Sequence, residues 1–293
     1  MKKYPFERHP DLVDDLTEEL TNDPSLKRFF IEHDIPNQQI VEQLNDLITY
    51  RHERPLCEDC PGLEACKQDT IGHQPVLEYR NQRIVLSYQA CSYLESYTRQ
   101  RQHKARISAL YMPKMIEKAS LSDYHFTRDG RQALYNQIMS IFAKFKVGEP
   151  VKGLYLSGGY QIGKTYTLAA MANHFASLKH EVVIAYYPDL VREMKSAISK
   201  GTLESSIERL KQVDVLMLDD IGGEAVSQWV RDEVLGPILQ HRLLDQKITC
   251  FTSNVRLKEL PKHMTETDQQ AERLKAYRIF ERIRAMCDEV IMR

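Results

Sequence analysis

The spacing of hydrophobic and polar positions changes along this chain, and the change indicates two regions. From residue 151 onward, short apolar runs alternate with amphipathic stretches of helical spacing. Strands that alternate with helices in this way are typical of a parallel sheet covered by helices on both faces. The predicted strands are Gly153–Ser157, Glu181–Tyr187, Asp214–Leu218 and Ile248–Thr252, and the predicted helices run from a glycine loop to Ala176, over Leu190–Lys200 and over Trp229–Leu244.

The first 106 residues have a different pattern. Asp11–Asn22 and a segment opened by Pro36-Asn37 carry apolar residues at helical spacing, which predicts short helices. Pro75–Tyr79 and Arg83–Tyr88 are short apolar runs that favour strands. We therefore expect an α/β protein in which a small helical N-terminal domain over residues 1–106 precedes a domain with a parallel sheet over residues 151–293. The motifs described below assign the second as a P-loop domain and the first as metal-binding.

The segment between these domains, residues 107–150, is predicted to be a linker with a leading helix. Arg131–Phe145 is amphipathic, and its apolar face comprises Leu134, Ile138, Ile141 and Phe142. The stretch that precedes the segment, Tyr97–Arg106, is polar and basic. We interpret it as a solvated hinge in preference to a phosphate contact.

Composition narrows the class of protein. The chain has 293 residues, 42% of them hydrophobic and 28% charged, with a formal net charge of −1. This balance argues against a uniformly basic nucleic-acid binder. No apolar run approaches the roughly 18 residues that indicate a membrane span, and no apolar segment follows Lys2-Lys3, as a signal peptide would require. We expect a cytoplasmic protein without membrane contact.

The strongest motif is a phosphate loop between the first predicted strand and the first predicted helix of the P-loop domain. Its pattern, G-x-x-x-x-G-K-[ST], places glycines where backbone N–H groups must approach phosphate oxygens closely. The helix start adds its positive end, Lys164 reaches the β- and γ-phosphates, and the Thr165 hydroxyl binds Mg²⁺. The predicted ATP-binding residues are Gly158, Gly159, Tyr160, Gln161, Ile162, Gly163, Lys164, Thr165 and Tyr166.

Two further strand ends are predicted to complete this site. The apolar run Val215–Leu218 is followed by Asp219 and Asp220, at the carboxyl end of a strand, where ligands bind in open α/β sheets. Asp219 would hold Mg²⁺ through water, and Asp220 would orient or deprotonate the attacking water. Asn254, after the strand Ile248–Thr252, is a candidate for contact with the γ-phosphate.

Four of the six cysteines lie between Cys57 and Cys91, and Cys57-Glu58-Asp59-Cys60 has the C-x₂-C spacing of a metal knuckle. Clustered cysteines in a reducing compartment are more often metal ligands than disulfides, and zinc suits mixed sulfur and nitrogen ligands. Cys66, His73 and Cys91 compete for the remaining two positions. From spacing alone, Cys66 could replace His73 or Cys91.

Arginines are concentrated in the last predicted helix. Arg278 and Arg282 are four residues apart and share a face. An arginine that reaches the γ-phosphate of a neighbouring subunit would make hydrolysis depend on assembly. For any single arginine here, a surface ion pair is the better interpretation from local sequence.

Taken together, these motifs resemble the AAA+ helicase loaders of bacterial replication, the DnaI and DnaC proteins, with DnaI the closer. The resemblance rests on the phosphate loop and on three short segments: Leu218-Asp219-Asp220-Ile221-Gly222, Thr252-Ser253-Asn254, and the stretch from Arg278 to Arg284. It covers the whole chain, including the cysteine-bearing part that the shorter DnaC type lacks. The resemblance implies an AAA+ ATPase whose N-terminal domain docks on the replicative hexameric helicase and whose AAA+ domain binds single-stranded DNA.

The resemblance also implies residue roles. Lys164, Asp219, Asp220 and Asn254 take the positions of the catalytic and sensor residues, and Arg282 takes that of the arginine finger, with Arg278 as the alternate. The cysteine region resembles a Cys₃His zinc site, which fits Cys57, Cys60, His73 and Cys91. Other primosome proteins and self-association through the AAA+ domain are further expected partners.

Two departures from the family pattern lower the expected hydrolysis rate of the chain alone. Loaders usually have glycine where this chain has Gln161, which would cost about 1–2 kcal/mol if the position is left-handed. Arg293 follows Arg282 closely, which leaves little room for a lid helix and a second sensor arginine. We therefore expect weak hydrolysis that depends on partners.

Other functions remain open from the sequence. An IstB-like helper ATPase of transposition would share the AAA+ motifs but is not expected to carry the zinc-bearing docking domain. A small-molecule kinase would need lid arginines and an acceptor pocket, and the sequence gives no signal for either. A binding module that uses no nucleotide would tolerate replacement of Lys164.

Overall fold

The computed structural model describes residues 10–110, 118–123, 131–223, 227–265, 267 and 269–293. The chain divides into two compact units, Met1–Arg101 and Gln102–Arg293. No helix in these described ranges is long and apolar enough to cross a membrane. The domain limits predicted at residues 106 and 150 stay predictions.

The first unit combines short helices with a β-hairpin. Its elements are α1 (Pro10–Asn22), α2 (Pro24–Glu32), α3 (Asn37–Glu42), α4 (Leu44–Glu53), β1 (His73–Arg80), β2 (Arg83–Ala90) and the start of α5 (Ser92–Arg106). The predicted helix near Asp11 and both predicted strands are confirmed, whereas α2 was not predicted. Apolar side chains of the helices and of β2 form a small core, which includes Leu20, Leu26, Phe30, Ile40, Leu47 and Ile84.

Local sequence explains how these elements begin and turn. Helix α2 starts with Pro24 at its first position, where a missing N–H costs nothing, and Asp23 caps it by accepting from Ser25 N. Strands β1 and β2 pair antiparallel and are joined by Asn81 and Gln82, both with positive φ (51° and 59°). Positive φ at both turn residues suits the right-handed twist of a two-residue hairpin.

Tyr97–Arg106, interpreted as a hinge, forms the last ten residues of α5, and the boundary between the two units lies within it, after Arg101. The stretch is therefore helical, and its role as a hinge stays a prediction. The stretch contains neither glycine nor proline and consists largely of Arg, Gln, Lys and Ala, which favour helices. Its polarity indicated exposure, and exposure does not require loss of helical structure. The described side chains of α5 are indeed mostly exposed.

The second unit is built around a six-stranded parallel sheet, as the alternating pattern predicted. Its strands are β3 (Ile107–Leu110), β4 (Gly153–Ser157), β5 (Val182–Tyr186), β6 (Val215–Asp219), β7 (Thr249–Ser253) and β8 (Cys287–Ile291), in the order β3-β5-β6-β7-β4-β8. The four predicted strands are confirmed. The two edge strands, β3 and β8, were not predicted, since each is short and bounded by a helix.

Helices cover both faces of this sheet. They are α6 (Arg131–Lys146), α7 (Lys164–Ser177), α8 (Tyr187–Lys200), α9 (Leu203–Gln212), α10 (Gly236–Leu244), α11 (Leu260–His263) and α12 (Gln270–Met286), and a π-helical turn over Val230–Leu235 precedes α10. The amphipathic helix predicted over Arg131–Phe145 is confirmed, with its four apolar residues buried. The helix predicted over Trp229–Leu244 is divided between the π-helical turn and α10.

The core forms one apolar layer on each face of the sheet. Alternate strand residues enter opposite layers, so that Leu216 and Leu218 pack with α8–α10 and α12, whereas Val215 and Met217 pack with α6 and α7. Side chains alternate across a strand, which requires both faces to be apolar in a covered sheet. Because all six strands are parallel, their carboxyl ends meet at one edge, where a ligand site is expected.

Candidate nucleotide-binding site

The loop between β4 and α7 contains the predicted phosphate-binding residues. Gly158 has φ +150°, and a Cβ there would lie 2.4 Å from the Met292 carbonyl oxygen, so that no other residue fits. Gly163, with φ +94°, forms the left-handed N-cap of α7. Gln161 has φ +60°, the left-handed position suspected from the sequence. Such a conformation costs a residue other than glycine about 1–2 kcal/mol.

Lys164 points its ammonium group back into this loop. Its Nζ donates to the carbonyl oxygens of Gly158 (3.0 Å) and Gly159 (2.5 Å) and to Oδ1 of Asn254 (2.7 Å). The side chain is 8% exposed. Burial lowers the pKa of Lys164, while the nearby charges of Asp220 and Asp219 oppose that shift. The ammonium is therefore fixed between the loop and the strand ends.

Asp219 lies across from Thr165 at the end of β6. The Thr165 hydroxyl donates to both carboxylate oxygens of Asp219, at 2.9 and 3.0 Å. The Thr252 hydroxyl donates to Oδ1 of Asp219 at 2.5 Å. Burial raises the pKa of Asp219, and these two hydrogen bonds act in the opposite direction. A hydroxyl and a carboxylate are thus brought together, and both are oxygen ligands of the kind Mg²⁺ prefers.

Asp220 follows Asp219 in the chain, and its backbone has a strained, left-handed conformation. Its φ is +61°, and its N–H donates to the Thr252 hydroxyl at 2.9 Å. Asn254 Nδ2 donates to its Oδ1 at 2.9 Å. A Cβ at Gly223 would lie 2.8 Å from Oδ2 of Asp220, so a larger residue there would displace this carboxylate. The predicted residues Lys164, Asp220 and Asn254 therefore form one connected network.

Two members of this network were missed from the sequence. Thr252 bridges Asp219 and the backbone of Asp220, and Tyr186 places its hydroxyl 3.5 Å from Oδ2 of Asp220. Tyr186 is the last residue of β5 and is in register with Asp219 on β6. The sequence signal for Tyr186 would have been a polar residue at the end of the strand that pairs with β6.

The other residues of the predicted ATP site have different surroundings. Tyr160 at the tip of the loop is 79% exposed. The Ile162 carbonyl accepts from Nη2 of Arg131 at 2.9 Å, which connects the loop to the start of α6. The Tyr166 hydroxyl donates to the Ser120 carbonyl at 3.2 Å.

The two candidate arginines of α12 differ in their contacts. Arg282 Nε donates to Oε1 of Gln240 at 2.9 Å, and its Nη1 donates to the Gly236 carbonyl at 3.1 Å. Burial and, to a smaller extent, the charge of Arg278 lower the pKa of Arg282. Arg278 is exposed. Arg282 is thus bound to α10 of its own chain and not to the phosphate loop.

The predicted zinc ligands do not converge in the structure. Among the described residues, no group of three or more His, Cys, Asp or Glu side chains is placed to hold a metal ion. Cys57 Sγ accepts from Gln68 Nε2 at 3.1 Å, Cys60 Sγ lies 3.6 Å from the Gly62 carbonyl oxygen, and His73 Nδ1 lies 3.2 Å from that of Ile71. Their side-chain atoms therefore contact other groups. The backbone nevertheless joins Cys91 to Gly72, since Cys91 N donates to the Gly72 carbonyl at 2.7 Å.

Comparison with known proteins agrees with this geometry. The family model described as IstB-like ATP binding protein matches residues 83–290, and the model described as Primosomal protein DnaI N-terminus matches residues 1–88. The replicative helicase loader DnaI of Bacillus subtilis (strain 168) is 32% identical over 274 residues, which are 92% of this chain and 88% of that protein.

Solved structures give the same result for the second unit. A crystal structure of DnaI is 41% identical and superposes with a TM-score of 0.60, covering 64% of this chain and 98% of its own. A putative primosome component from Streptococcus pyogenes serotype M3 is 33% identical with a TM-score of 0.56, covering 66% of this chain and 96% of its own. The predicted resemblance and the predicted α/β fold class are thereby confirmed.

Proposed function

The chain belongs to the DnaI family of replicative helicase loaders, and from this premise we propose that it uses ATP to help place a replicative DNA helicase on single-stranded DNA. Loading would take place when replication is initiated or restarted. The N-terminal match favours this function over that of an IstB-like transposition helper, because the IstB-like match begins only at residue 83.

One observation carries the nucleotide-dependent part of the proposal. The Thr165 hydroxyl and the Asp219 carboxylate lie 2.9 Å apart, next to a loop whose glycines allow close backbone approach. Lys164 completes the arrangement with a buried positive charge. A triphosphate needs these three groups in one place: N–H donors, a cation and ligands for Mg²⁺.

Each residue of the network has a distinct proposed role. Lys164 binds the β- and γ-phosphates, and Thr165 and Asp219 hold Mg²⁺, with Asp219 acting through water. Mg²⁺, when bound, would supply the charge that neutralises the phosphate oxygens. Asp220 orients the attacking water and accepts its proton, and Asn254, which donates to Asp220, senses the γ-phosphate. ATP hydrolysis by this chain is expected to be weak without partners.

The arginine finger is proposed at Arg282, with Arg278 as the alternate. The contacts of Arg282 with Gln240 and Gly236 would have to break before it could reach a neighbouring subunit. Arg278 is exposed and needs no such change, which supports the alternate. Self-association through the AAA+ domain is part of this proposal, because the finger acts between subunits.

The contacts with other macromolecules are also proposed. Residues 1–106 would dock on the replicative helicase, and residues 107–293 would bind single-stranded DNA, in assemblies with other primosome proteins. The name of the Bacillus subtilis relative, a replicative helicase loader, supports the helicase contact.

Zinc at Cys57, Cys60, His73 and Cys91 stays a prediction that the described geometry does not support. Metal analysis of the purified chain decides it. About one zinc per chain, lost on Cys60→Ser, would support the prediction, whereas a folded chain without zinc would reject it.

The central experiment measures nucleotide binding and loading with the full chain. ATP is titrated calorimetrically, and transfer of the cognate helicase to circular single-stranded DNA is followed with ATP present. Lys164→Ala should lose both activities, and the matched control Lys195→Ala, an exposed lysine on α8, should keep both. Absence of any heat with ATP for the wild-type chain, even with helicase and DNA present, would overturn the proposal. Phosphoryl transfer to a nucleoside would favour a small-molecule kinase instead.

A further inference from the structure

Helix α5 (Ser92–Arg106) carries a concentration of positive charge, and none of the residue roles proposed above involves it. It contains four Arg or Lys residues and one Glu, which give it a formal charge of +3, whereas the whole chain has a net charge of −1. A helix that is polar around its whole circumference gains little from burial. The described side chains of α5 agree with this, since most of them are exposed.

Two tyrosines and an arginine share one face of this helix. Tyr93, Tyr97 and Arg101 follow each other at intervals of four residues. This spacing keeps them within an arc of about 80° and separates neighbours by about 6 Å along the axis. Tyr93 is 46% exposed and Tyr97 is 54% exposed. Exposed apolar side chains that lie next to each other mark interaction sites, whereas single ones do not.

The polar groups of these three side chains are available to a ligand. Among the described residues, neither tyrosine hydroxyl nor the Arg101 guanidinium forms a hydrogen bond or an ion pair with another side chain. The opposite face is different, because Arg99 Nη2 lies 3.8 Å from Oε2 of Glu95. The one acidic residue of α5 therefore lies away from the tyrosine face.

The start of α5 is anchored, so that the tyrosine face has a defined orientation on its unit. Cys91 N donates to the Gly72 carbonyl at 2.7 Å, and Glu95 N donates to the Cys91 carbonyl at 3.0 Å. A Cβ at Gly72 would lie 2.8 Å from Cβ of Leu94, which shows how closely Leu94 packs there. Leu94 thus points towards the unit while Tyr93 and Tyr97 remain exposed.

We propose that the face formed by Tyr93, Tyr97 and Arg101 binds single-stranded nucleic acid. Two successive bases would stack on the tyrosine rings, and Arg101 would bind the phosphate beyond them. The inference rests on the proposed function, which requires a single strand, and it adds a contact to those proposed for residues 107–293. Aromatic rings that alternate with cations are the general means of binding single strands without reading sequence.

The composition of the face favours nucleic acid over a protein partner. Protein interfaces bury a well-packed apolar centre, whereas Leu94, the leucine beside this face, packs against Gly72. Tyrosine stacking and a guanidinium match instead the rings and phosphates of a strand. The positive charge of α5 adds long-range attraction to a polyanion.

The test uses the full chain with ATP and a fluorescein-labelled oligo(dT), and it measures fluorescence anisotropy. Tyr93→Ala/Tyr97→Ala should weaken binding about tenfold or more, because each lost stack is a substantial part of the affinity. Tyr93→Phe/Tyr97→Phe keeps the rings and should retain binding. Arg101→Ala should lower the slope of log affinity against log salt by about 1, whereas Arg99→Ala, the same change on the opposite face, should lower it less.

A second measurement identifies the contact directly. Photocrosslinking to bromodeoxyuridine-substituted oligonucleotide should label a peptide that contains Tyr93 or Tyr97. Circular dichroism of each variant checks that α5 stays folded.

The possible failures are distinguishable. If the wild-type chain, with helicase and ATP present, binds no oligonucleotide, the proposed loading function fails as well. If the wild type binds and the double alanine variant binds equally well, the α5 inference alone is overturned. Loss of helicase capture by that variant with unchanged DNA affinity would also overturn it, since the face would then bind protein.

Discussion

The two units of the chain differ most in the charge that they bury. In the described part of Gln102–Arg293, five charged residues are less than a tenth exposed: Lys164, Asp219, Arg231, Arg242 and Glu272. In the described part of Met1–Arg101, the polar side chain buried to this extent is that of Gln68. Burial of a charge is costly unless it is paired or hydrogen-bonded. The second unit therefore needs an ordered polar network, and the first does not.

The buried charges of the second unit serve two purposes. Lys164 and Asp219 belong to the candidate nucleotide site. Arg242 has a structural role, since it donates to the carbonyl oxygens of Val213 (2.7 Å) and Ile248 (2.6 Å), and burial lowers its pKa to about 10. A ligand site at the edge of a covered sheet thus depends on charged groups inside the protein. The described charged side chains of the first unit stay in contact with solvent.

The largest effect is expected from breaking a buried charge pair. Arg231 donates to Oε2 of Glu272 at 2.5 Å, to Asp232 at 2.7 Å and to the Met264 carbonyl at 3.0 Å. Arg231→Ala leaves Glu272 with the half-exposed Lys275 as its ion-pair partner, at 3.2 Å, and should lower the free energy of unfolding of the second unit by about 3 kcal/mol. Chemical denaturation, followed by the fluorescence of Trp229, measures this.

A double variant controls for the loss of side-chain volume. Arg231→Met/Glu272→Gln removes both charges and should be less destabilised than Arg231→Ala, because position 272 is then neutral and Asp232 keeps Lys275 at 3.0 Å. A cost below about 1 kcal/mol for Arg231→Ala, in the range of exposed pairs, would remove the contrast between the units.

The second effect concerns Asp219, where function and stability are expected to oppose each other. Asp219→Asn should weaken Mg·ATP affinity about 10–100-fold, in the range seen when groups around a bound metal are replaced. The same change should raise the stability of the nucleotide-free protein at neutral pH, since burial raises the pKa of Asp219 and its charged form is disfavoured in the folded state. Calorimetry and thermal unfolding measure the two effects.

The pH dependence of this stabilisation has a definite sign. A carboxyl group with a raised pKa destabilises the folded state fully above that raised pKa, and the penalty vanishes below its unfolded value of 3.8. The advantage of Asp219→Asn should therefore shrink as the pH falls from neutral towards 3.8. An advantage that grows on acidification would show that the charge of Asp219 is favoured in the fold.

Sequence reasoning succeeded where a strong hydrophobic pattern predicted both the strands and the position of the site residues at their ends. The runs at Gly153–Ser157 and Val215–Leu218 predicted strands, and a parallel sheet brings their carboxyl ends to one edge. The proximity of Lys164, Asp219, Asp220 and Asn254 follows from that rule. No comparable rule predicted Tyr186 or Thr252, because their contacts depend on the register between neighbouring strands.

Sequence reasoning failed where the pattern was short or uniformly polar. Strands β3 and β8 are four and five residues long and lie at the edges of the sheet, so they lack a distinct apolar run. The polarity of Tyr97–Arg106 indicated exposure, but it did not indicate that these residues continue helix α5. The spacing of the cysteines could not show whether their side chains converge on a metal ion, since side-chain direction decides which atoms meet.

A smaller effect is expected at Gln161, whose left-handed backbone strains the phosphate loop. Gln161→Gly should stabilise the nucleotide-free chain by up to about 1 kcal/mol, because relief of the strain is partly offset by the greater freedom of glycine in the unfolded chain. Gly158→Ala is the matched change in the same loop and should destabilise, since its Cβ would meet the Met292 carbonyl oxygen. Thermal unfolding measures both, and a destabilised Gln161→Gly would mean that its side chain contributes to the loop.

The smallest effect is expected in the first unit, where charges act at the surface. Asp23 caps α2 by accepting from Ser25 N at 2.9 Å and from the Ser25 hydroxyl at 2.5 Å. Asp23→Ala should cost about 1 kcal/mol through loss of this cap. The hydrogen bond from the Ser25 side chain lowers the pKa of Asp23, so its contribution should be present above the unfolded value of 3.8 and be lost as the pH falls through the lowered pKa.

Arg51→Ala is the control that separates the cap from the ion pair. Arg51 Nε lies 3.3 Å from Oδ2 of Asp23, and its Nη1 lies 2.9 Å from Oε2 of Glu19, both in partly exposed pairs. Its removal should cost less than about 1 kcal/mol, and neither variant should change ATP affinity. Hydrogen exchange of the α2 amides measures the local effect. A cost for Asp23→Ala as large as that for Arg231→Ala would mean that the first unit also depends on a single charged group, and the contrast between surface and buried charge would no longer hold.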